Sequence, residues 1–477
     1  MHKRVTEFFS YRWRYVLGYS FIIVTIGAML TVAALYVPHE LRQGEIDSAL
    51  ISGKLGTSAM SPQSFIDLPY HILQKLSFIT LGVTTFTIKL PSIILGTLSV
   101  LGIFLLIRTW FEAKVAILAT LIATITAQFL FLIQDGTPLI MYTFLSVWLL
   151  FVATYVTRRK YFGTLWKVLT ALAMAACIYT PMGIYLVIVM LTTSLFHPHI
   201  RFMIRKFNRV KASIAIFLGV AALAPLVYAI VLDPSILRTL LGIPVNLDIQ
   251  ANALKILHDT IGFASDTNSY LVRPLYPIGL VLLMLVGLYR ILTHRYTARS
   301  YITIAWGALT LGLVLLNPGA VTNLYPVAII LISYGIIEMI RSWYQIFPTN
   351  PYARVAGMLP LTVLVLAFVM SGTTRFIGTY HNDPGVMSNY SRDLTMLRTT
   401  LSKNNATADT TALLVGRSEL PFYQLVSKYD NRFSVSSSPV DKKQLTIASR
   451  AAKLPDAPTS IVVNARAQDA DRFYIYK

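Results

Sequence analysis

Long apolar runs separated by short basic clusters constrain this chain more than any other feature of its sequence. Six runs are long enough to cross about 30 Å of hydrocarbon as helices: residues 16–37, 90–107, 115–133, 137–156, 212–232 and 355–374. Three shorter runs, at 274–289, 301–316 and 324–337, become spans if flanking arginines snorkel to the interface. Since 55% of the residues are hydrophobic and only 13% are charged, the sequence predicts a polytopic membrane protein.

The run at 168–196 allows two interpretations, one long tilted helix or two helices that turn at Pro181-Met182-Gly183. Basic clusters precede it at 158–160 and follow it at 201–211. Because short basic loops stay in the cytoplasm, an even number of crossings must separate these clusters. A hairpin is therefore favoured, and the total becomes about eleven transmembrane helices.

Charge also sets the predicted topology. With the hairpin, every basic cluster falls on one side of the membrane, which places the N-terminus in the cytoplasm and the C-terminus outside. The predicted fold is an all-α polytopic bundle over residues 1–375, with external loops at 38–89 and 233–273. A small extracytoplasmic α/β domain over residues 376–477 follows, with strands predicted at 411–415, 460–463 and 472–476. Such a chain is a multi-pass protein of the plasma (cytoplasmic) membrane.

The formal net charge of +20 does not indicate a nucleic-acid partner, because the Lys and Arg residues lie in clusters between apolar runs. Membrane lipids are the partners that the composition implies. The single cysteine, Cys177, lies within an apolar run, which excludes an intramolecular disulfide and gives no sign of a thiolate metal site.

The first external loop opens with Gly44-Glu45-Ile46-Asp47. Glu45 and Asp47 therefore lie within about ten residues of the first predicted span, where a membrane-bound substrate could reach them. An exposed loop also needs charges to stay solvated, so this placement alone leaves their role open.

Several segments occur in the order found in a known class of membrane enzymes. The acids are followed by Asp67-Leu68-Pro69-Tyr70-His71, by Lys89-Leu90-Pro91-Ser92 at the start of a span, by Trp110-Phe111-Glu112-Ala113-Lys114-Val115-Ala116 at its cytoplasmic end, and by Gln134-Asp135-Gly136-Thr137-Pro138 at the next outer turn. In order, spacing and sidedness they resemble the GT-C class of polyprenyl-phosphate-sugar-dependent glycosyltransferases, the protein mannosyltransferase and aminoarabinose transferase superfamily (glycosyltransferase family 39-like). The resemblance covers residues 1–375.

The resemblance implies a hexosyl- or pentosyltransferase that acts on the outer face of the membrane. Its donor would be a polyprenyl-phosphate-linked sugar and its acceptor a hydroxyl on a lipid, glycan or protein, with inversion at the anomeric carbon. The reaction needs a carboxylate beside the acceptor hydroxyl and a cation beside the departing phosphate.

The resemblance fixes no cofactor. Some members use a divalent metal ion near the phosphate, and the external acids would permit one. The external histidines His71, His258 and His381 show no metal-ligand spacing, so no metal site is assigned.

The proposed base departs from the family pattern. In these enzymes it is usually the Asp of an Asp-Glu pair, and the matching positions here are Gly44 and Glu45. Asp47 or Glu45 has taken the role, or the alignment is shifted by a few residues, or the chain is inactive. We favour Asp47, with Glu45 and Asp135 completing the candidate catalytic set.

The phosphate-binding cation departs as well, because Asp67 stands where the resemblance leads one to expect Lys or His. Lys54, Lys89, Arg238 and Arg273 are the external basic residues that could replace it. Arg273 is placed best, since its planar fork suits a phosphate. The alternative for Arg273 is an anchor at the membrane interface.

Four further residues are candidates for the acceptor or sugar groove: Asp67, His71, Gln134 and Tyr179. Asp135 could line the same groove, or it could cap the helix that begins near Thr137. Tyr179 could stack on a sugar or lie in an aromatic belt.

Two other functions remain open. A transporter or flippase would show ionisable residues at mid-membrane depth and broken helices in matching halves, whereas these runs are nearly free of charge. A noncatalytic envelope-assembly protein of the same fold is compatible with Gly44 and Asp67.

Overall fold

The structure is a computed structural model of the 477-residue chain. It describes residues 20, 24, 27, 40–158, 162–244, 248–262, 271–294, 296–347, 351–438, 445–463 and 472–477. The first predicted span, at 16–37, therefore lies outside the described residues except for three positions.

Apolar helices form the main body of the molecule. In chain order they are α3 (Thr85–Trp110), α4 (Ala113–Thr124), α5 (Ala127–Gln134), α6 (Leu139–Arg158), α7 (Gly163–Ile178), α8 (Gly183–Phe196), α9 (Pro198–Arg205), α10 (Arg209–Leu232), α13 (Ile278–Thr293), α14 (Ala298–Leu316), α15 (Tyr325–Ile346) and α17 (Met358–Asn382). A 3-10 segment, Pro318–Leu324, leads into α15, and the short α16 (Pro351–Ala356) precedes α17.

Six helices of the described chain are long and apolar enough to cross a membrane, and the number rises to eight if each bent pair is one span. The bent pairs are α4 with α5, at 65°, and α8 with α9, at 85°. The apolar helices α7 and α13 have 16 residues each. The chain is thus a multi-pass membrane protein, while the expected number of about eleven spans is not confirmed.

Local chemistry explains where the apolar runs break. Helix α4 ends at Thr124, and Thr126 caps α5 by accepting a hydrogen bond from the Phe129 amide. Between α7 and α8, Met182 has a φ of 65°, and a Cβ on Gly183 would overlap the carbonyl of Cys177. The turn therefore requires glycine at 183, and the two-helix interpretation of this run is confirmed.

The two loops predicted to be external are largely helical. The first contains β1 (Leu41–Arg42), α1 (Gln43–Lys54), the 3-10 segment Pro62–Phe65 and α2 (Leu68–Leu81). The second contains α11 (Ser235–Leu241) and α12 (Ile249–Ile261). Thr84 and Thr87 form a capping box that starts α3, so the first loop passes directly into a bundle helix.

The C-terminal part is a small α/β unit built on a five-stranded sheet of order β4-β3-β5-β7-β6. Its strands are β3 (Thr411–Leu414), β4 (Ser434–Ser436), β5 (Leu445–Ser449), β6 (Ser460–Val463) and β7 (Arg472–Tyr476), and its helices are α18 (Pro384–Met387), α19 (Leu394–Lys403) and α20 (Leu420–Ser427), with a 3-10 segment at Arg450–Ala452. Strand β3 is parallel to β4 and β5, whereas β7 is antiparallel to β5 and β6. The three predicted strands are confirmed.

This unit is fastened to the first loop. Strand β2 (Tyr390–Arg392) pairs antiparallel with β1, so that Arg42 lies opposite Tyr390. One hydrophobic core joins Ile46 and Ala49 of α1 to Phe422 of α20. The predicted boundary at 375/376 falls inside α17, which continues to Asn382.

Candidate active site

Two buried ion pairs lie where β1 and α1 meet the N-terminal end of α3 and the turn at 134–137. Glu45 Oε1 lies 3.7 Å from Lys89 Nζ, and Asp135 Oδ2 lies 2.5 Å from Arg42 Nη2. The side chains of Glu45 and Asp135 are fully buried, that of Lys89 is 1% exposed, and that of Arg42 is 13% exposed. We call these four residues the charge cluster. Charges this deeply buried persist only because each has an opposite partner.

Glu45 is held through both carboxylate oxygens. Oε2 accepts the backbone amide of Arg42 at 2.9 Å and so caps α1, while Oε1 accepts the backbone amide of Gly136 at 2.6 Å. A Cβ on Gly136 would lie 2.8 Å from Ile88 and 3.1 Å from Oε1, so the turn requires glycine. Burial raises the pKa of Glu45, and Lys89 opposes that rise. Glu45 thus fastens α1 to the turn at 134–137.

Asp135 is held in the same way. Oδ2 accepts hydrogen bonds from Nε and Nη2 of Arg42 at 3.1 and 2.5 Å, a bidentate arrangement, and Oδ1 accepts the Thr137 amide at 3.1 Å. Thr137 stands two residues before α6, which begins at Leu139, so this hydrogen bond lies close to the helix start that Asp135 was predicted to cap. The backbone carbonyl of Asp135 also accepts the Ser92 hydroxyl at 2.5 Å.

Two tyrosines, Tyr380 of α17 and Tyr390 of β2, lie beside the charge cluster. Gln134 donates through Nε2 to the hydroxyls of Tyr380 at 2.5 Å and Tyr390 at 3.3 Å, and those two hydroxyls are 3.2 Å apart. Lys89 Nζ donates to Gln134 Oε1 at 3.3 Å and lies 5.9 Å from the centre of the Tyr390 ring. Gln134 is therefore fully engaged with protein groups.

The Arg42 guanidinium covers Gly44, the position that was matched to the family's usual acid. A Cβ on Gly44 would lie 2.9 Å from Arg42 Nη1. Asp47 lies three residues further along α1, and residues three apart are neighbours on a helix surface. Asp47 is exposed, and its Oδ1 accepts a hydrogen bond from Gln43 Nε2 at 2.9 Å. Of the three acids predicted as catalytic, Asp47 is the one that is open to solvent.

Two of the predicted phosphate-binding residues lie elsewhere. Lys54 is exposed at the end of α1. Arg273 is buried and pairs with Asp259 of α12 at 2.6 Å, with 6% and 3% of their side chains exposed. Of the predicted set, Lys89 lies in the charge cluster.

Asp67 lies at the start of α2, beside the turn between α7 and α8. Its backbone adopts a left-handed φ of 51°, and its amide donates to the carbonyl of Tyr179 at 2.9 Å. The carboxylate is buried, its Oδ1 has no hydrogen-bond partner within the described residues, and burial raises its pKa to about 7. The Tyr179 hydroxyl donates to the carbonyl of Ala222 at 2.8 Å.

His71 belongs to the contact between α1 and α2. Its Nδ1 lies 2.8 Å from the Ser52 hydroxyl, which also donates to Gln74 Oε1 at 2.6 Å. Gln74 Nε2 in turn donates to the carbonyls of Ile88 and Gly136. Burial lowers the pKa of His71 to about 4, so the ring is neutral at physiological pH.

The sequence interpretation missed Arg42, Tyr380 and Tyr390. A signal existed for Arg42, since it stands two residues before the position matched to the family's acid. No local signal marks the tyrosines, because Tyr390 reaches the charge cluster through the pairing of β1 with β2 and Tyr380 through the packing of α17 against α5. Within the described residues no group of three or more His, Cys, Asp or Glu side chains is arranged to hold a metal ion.

Part of the sequence matches a known protein family. A family model, "Dolichyl-phosphate-mannose-protein mannosyltransferase", matches residues 69–228, about a third of the chain. Among the curated proteins, none matches this sequence.

Solved structures match over nearly the whole chain. ArnT from Cupriavidus metallidurans bound to undecaprenyl phosphate has a TM-score of 0.53 at 14% identity, covering 96% of this chain and 98% of its own. The apo state of ArnT gives 0.51 at 14% identity, with 97% and 98% covered. The Archaeoglobus fulgidus oligosaccharyltransferase tethered with an acceptor peptide gives 0.50 at 10% identity, with 89% and 64% covered.

Together, the fold and the family match confirm the resemblance to the GT-C glycosyltransferase class seen in the sequence motifs. The match to the mannosyltransferase family model is confined to residues 69–228, and the overall architecture is similar to that of ArnT. At these identities the structural likeness concerns the fold.

Proposed function

We propose that this chain transfers a sugar from a polyprenyl phosphate to a hydroxyl acceptor on the outer face of the membrane. The acceptor oxygen bonds to the anomeric carbon as the bond from that carbon to the phosphate oxygen breaks. The hydroxyl proton passes to a carboxylate, and polyprenyl phosphate leaves with its electron pair. A single displacement of this kind inverts the anomeric centre.

Asp47 is the proposed base. The oxygens of Glu45 and Asp135 are occupied by backbone amides and cations, and both side chains are fully buried. Asp47 is exposed on the same helix, one turn from Gly44, and its carboxylate accepts a hydrogen bond from the neutral amide of Gln43. This contrast between one accessible acid and two occupied acids is the observation that carries the assignment.

Arg42 is the proposed phosphate-binding cation. Its guanidinium lies over Gly44, beside the helix face that carries Asp47, and its rigid fork is kept in place by Asp135. Lys89 adds a positive charge behind it. The similar ArnT structure was solved with undecaprenyl phosphate bound, which supports a donor of the same chemical class here.

Asp47→Asn tests the role of the base. Full-length protein in lipid vesicles is supplied with a panel of polyprenyl-phosphate-linked sugars, and release of polyprenyl phosphate is measured. We expect a loss of about 10²–10⁴-fold in the rate, with unchanged thermal unfolding because Asp47 is exposed. The matched control is Asp430→Asn, which removes a carboxylate from a hydrogen-bonded site in the C-terminal unit and should leave the rate unchanged.

A second variant sharpens the test. Gly44→Asp in the Asp47→Asn background restores an acid at the position matched to the family, where the three atoms nearest to the added Cβ all belong to the Arg42 guanidinium. Partial recovery of transfer would support the assignment. Full activity of Asp47→Asn alone would rule out Asp47 as the base.

A noncatalytic protein of the same fold is the second candidate, because Gly44 replaces the usual acid and Arg42 covers its position. That function predicts binding of the lipid-linked sugar without release of polyprenyl phosphate by the unaltered chain. Measuring binding and release on the same vesicles separates the two.

A further inference from the structure

A second site lies at the opposite end of the bundle. A cavity of about 550 Å³ opens between α6, α7, α8, α9, α10 and α14, and Trp110 at the end of α3 lines it. Lys89, in the charge cluster, precedes Trp110 by 110 − 89 = 21 residues of the same helix. At 1.5 Å per residue this is about 30 Å, the thickness of the hydrocarbon layer. The cavity therefore faces the other membrane surface and is separate from the candidate active site.

The walls of this cavity are mostly apolar, and its charged residues are all basic. Ala171, Met174 and Ile216 are among the wall residues, and Arg158, Lys167 and Arg299 are the cations. None of the described lining residues is an Asp or Glu.

The three cations are held in place by neutral groups. Arg158 donates to the carbonyl of Thr109 and Arg299 to that of Trp110. Lys167 lies 4.1 Å from the centre of the Phe207 ring. These contacts orient the positive charges without neutralising them, so the cavity favours an anion.

The helix beside the cavity has the character of an interfacial helix. Helix α9 bends by 85° from α8, has no buried residue, and carries Arg201 and Arg205. Its Ile200, Met203 and Ile204 line the cavity. An amphipathic helix of this kind lies at the boundary of headgroups and acyl chains, so the cavity is at the depth where a phospholipid has both a charged and an apolar part.

We propose that this cavity binds one anionic glycerophospholipid. Its phosphate lies near Lys167 and Arg158, and an acyl chain lies on the apolar wall. The chain's own N-terminal segment is a poor occupant because it carries Lys3, Arg4, Arg12 and Arg14, which the basic residues of the cavity repel. The proposal is independent of the proposed enzymatic function.

The experiment uses the full chain purified in a neutral detergent. Native mass spectrometry measures its affinity for phosphatidylglycerol and for phosphatidylcholine with the same acyl chains. We expect one phosphatidylglycerol bound more tightly than phosphatidylcholine. Lys167→Gln should weaken it about fivefold, since a basic residue near an anionic lipid contributes about 1 kcal/mol, while Lys206→Gln, whose side chain does not line the cavity, should change it less than twofold.

A steric pair of variants tests the place of binding. Ala212 lines the cavity, whereas its neighbour Ser213 is exposed and does not. Ala212→Trp should abolish retention of phosphatidylglycerol, and Ser213→Trp should preserve it, with thermal unfolding checked for both.

Four results would overturn the proposal. Equal affinity for the two lipids would mean unspecific solvation, and binding unaffected by Ala212→Trp would place the lipid elsewhere. Competition by millimolar inorganic phosphate would show a site for free phosphate. A lipid-free chain that runs as a dimer would assign the cavity to a second copy.

Discussion

The bidentate pair of Arg42 and Asp135 gives the sharpest test of the site's architecture. Asp135→Asn keeps the shape of the side chain but removes its charge and one of its two acceptor oxygens. The variant removes the Asp135 carboxylate from Arg42, whose side chain is 13% exposed. It therefore breaks an ion pair between residues that are 93 positions apart in the sequence. We expect the pair to matter for stability because both partners are held inside the protein.

The expected loss of stability in Asp135→Asn follows from how deeply the ion pair is buried. Removing one partner of a buried ion pair costs about 3–5 kcal/mol, and the partial exposure of Arg42 puts the expected loss at about 3 kcal/mol. Breaking the more exposed pair of Asp430 and Arg432, whose side chains are 18% and 32% exposed, should cost at most about 1 kcal/mol. Asp430→Asn is therefore the matched control.

A double-mutant cycle measures the pair itself. Free energies of unfolding are determined in mixed micelles by denaturant titration for Arg42→Met, Asp135→Asn and the double variant. Because the double variant no longer buries an unpaired charge, it should be destabilised by at least about 2 kcal/mol less than the sum of the single variants. Strict additivity would refute the inference that these side chains act as a pair.

Two further predictions concern other parts of the molecule. Because burial raises the pKa of Asp67 from 3.8 to about 7, folding takes up a proton between these pH values, and this carboxyl lowers the free energy of unfolding by up to about 4 kcal/mol as pH rises through that window. Asn tolerates the left-handed backbone, so Asp67→Asn should be more stable than the unaltered chain at pH 8 and only slightly more stable at pH 4. A stability difference that does not depend on pH would contradict this. In a thermal-unfolding assay, Gly335→Ala should destabilise the protein by about 1–3 kcal/mol because its Cβ would overlap the carbonyl of Leu283 where α13 contacts α15. Gly312 lies in open space, so Gly312→Ala should be neutral or slightly stabilising. Equal effects of the two variants would contradict the close approach of α13 and α15.

The bundle could be predicted because its signals are local in sequence. Hydropathy and the distribution of Lys and Arg report directly on which segments prefer lipid, and they indicated the positions of the apolar helices and the break before Gly183. The strands of the C-terminal unit were equally visible, since β-branched and aromatic residues cluster at 411–415, 460–463 and 472–476. The count of spans was less secure, because α7 and α13 are short and α4 bends into α5.

The candidate site was only partly visible. Its acids could be named because they lie in short motifs, yet their accessibility could not. Burial of Glu45 and Asp135, and exposure of Asp47, depend on how α1 is oriented against α3 and the turn at 134–137. The role of Arg273 was equally hidden, since its partner Asp259 lies in a separate helix.

The sequence by itself thus determined that this is a membrane protein that resembles glycosyltransferases with lipid-linked sugar donors, because the preference of a segment for lipid and the presence of short motifs are properties of consecutive residues. Only the tertiary structure decided which charges meet. Arg42 reaches Asp135 and Tyr390 reaches Gln134 because β1 pairs with β2 and the C-terminal unit shares a core with α1. Tyr380 reaches Gln134 because α17 packs against α5. Contacts of this range arise from packing in three dimensions, which no local pattern encodes.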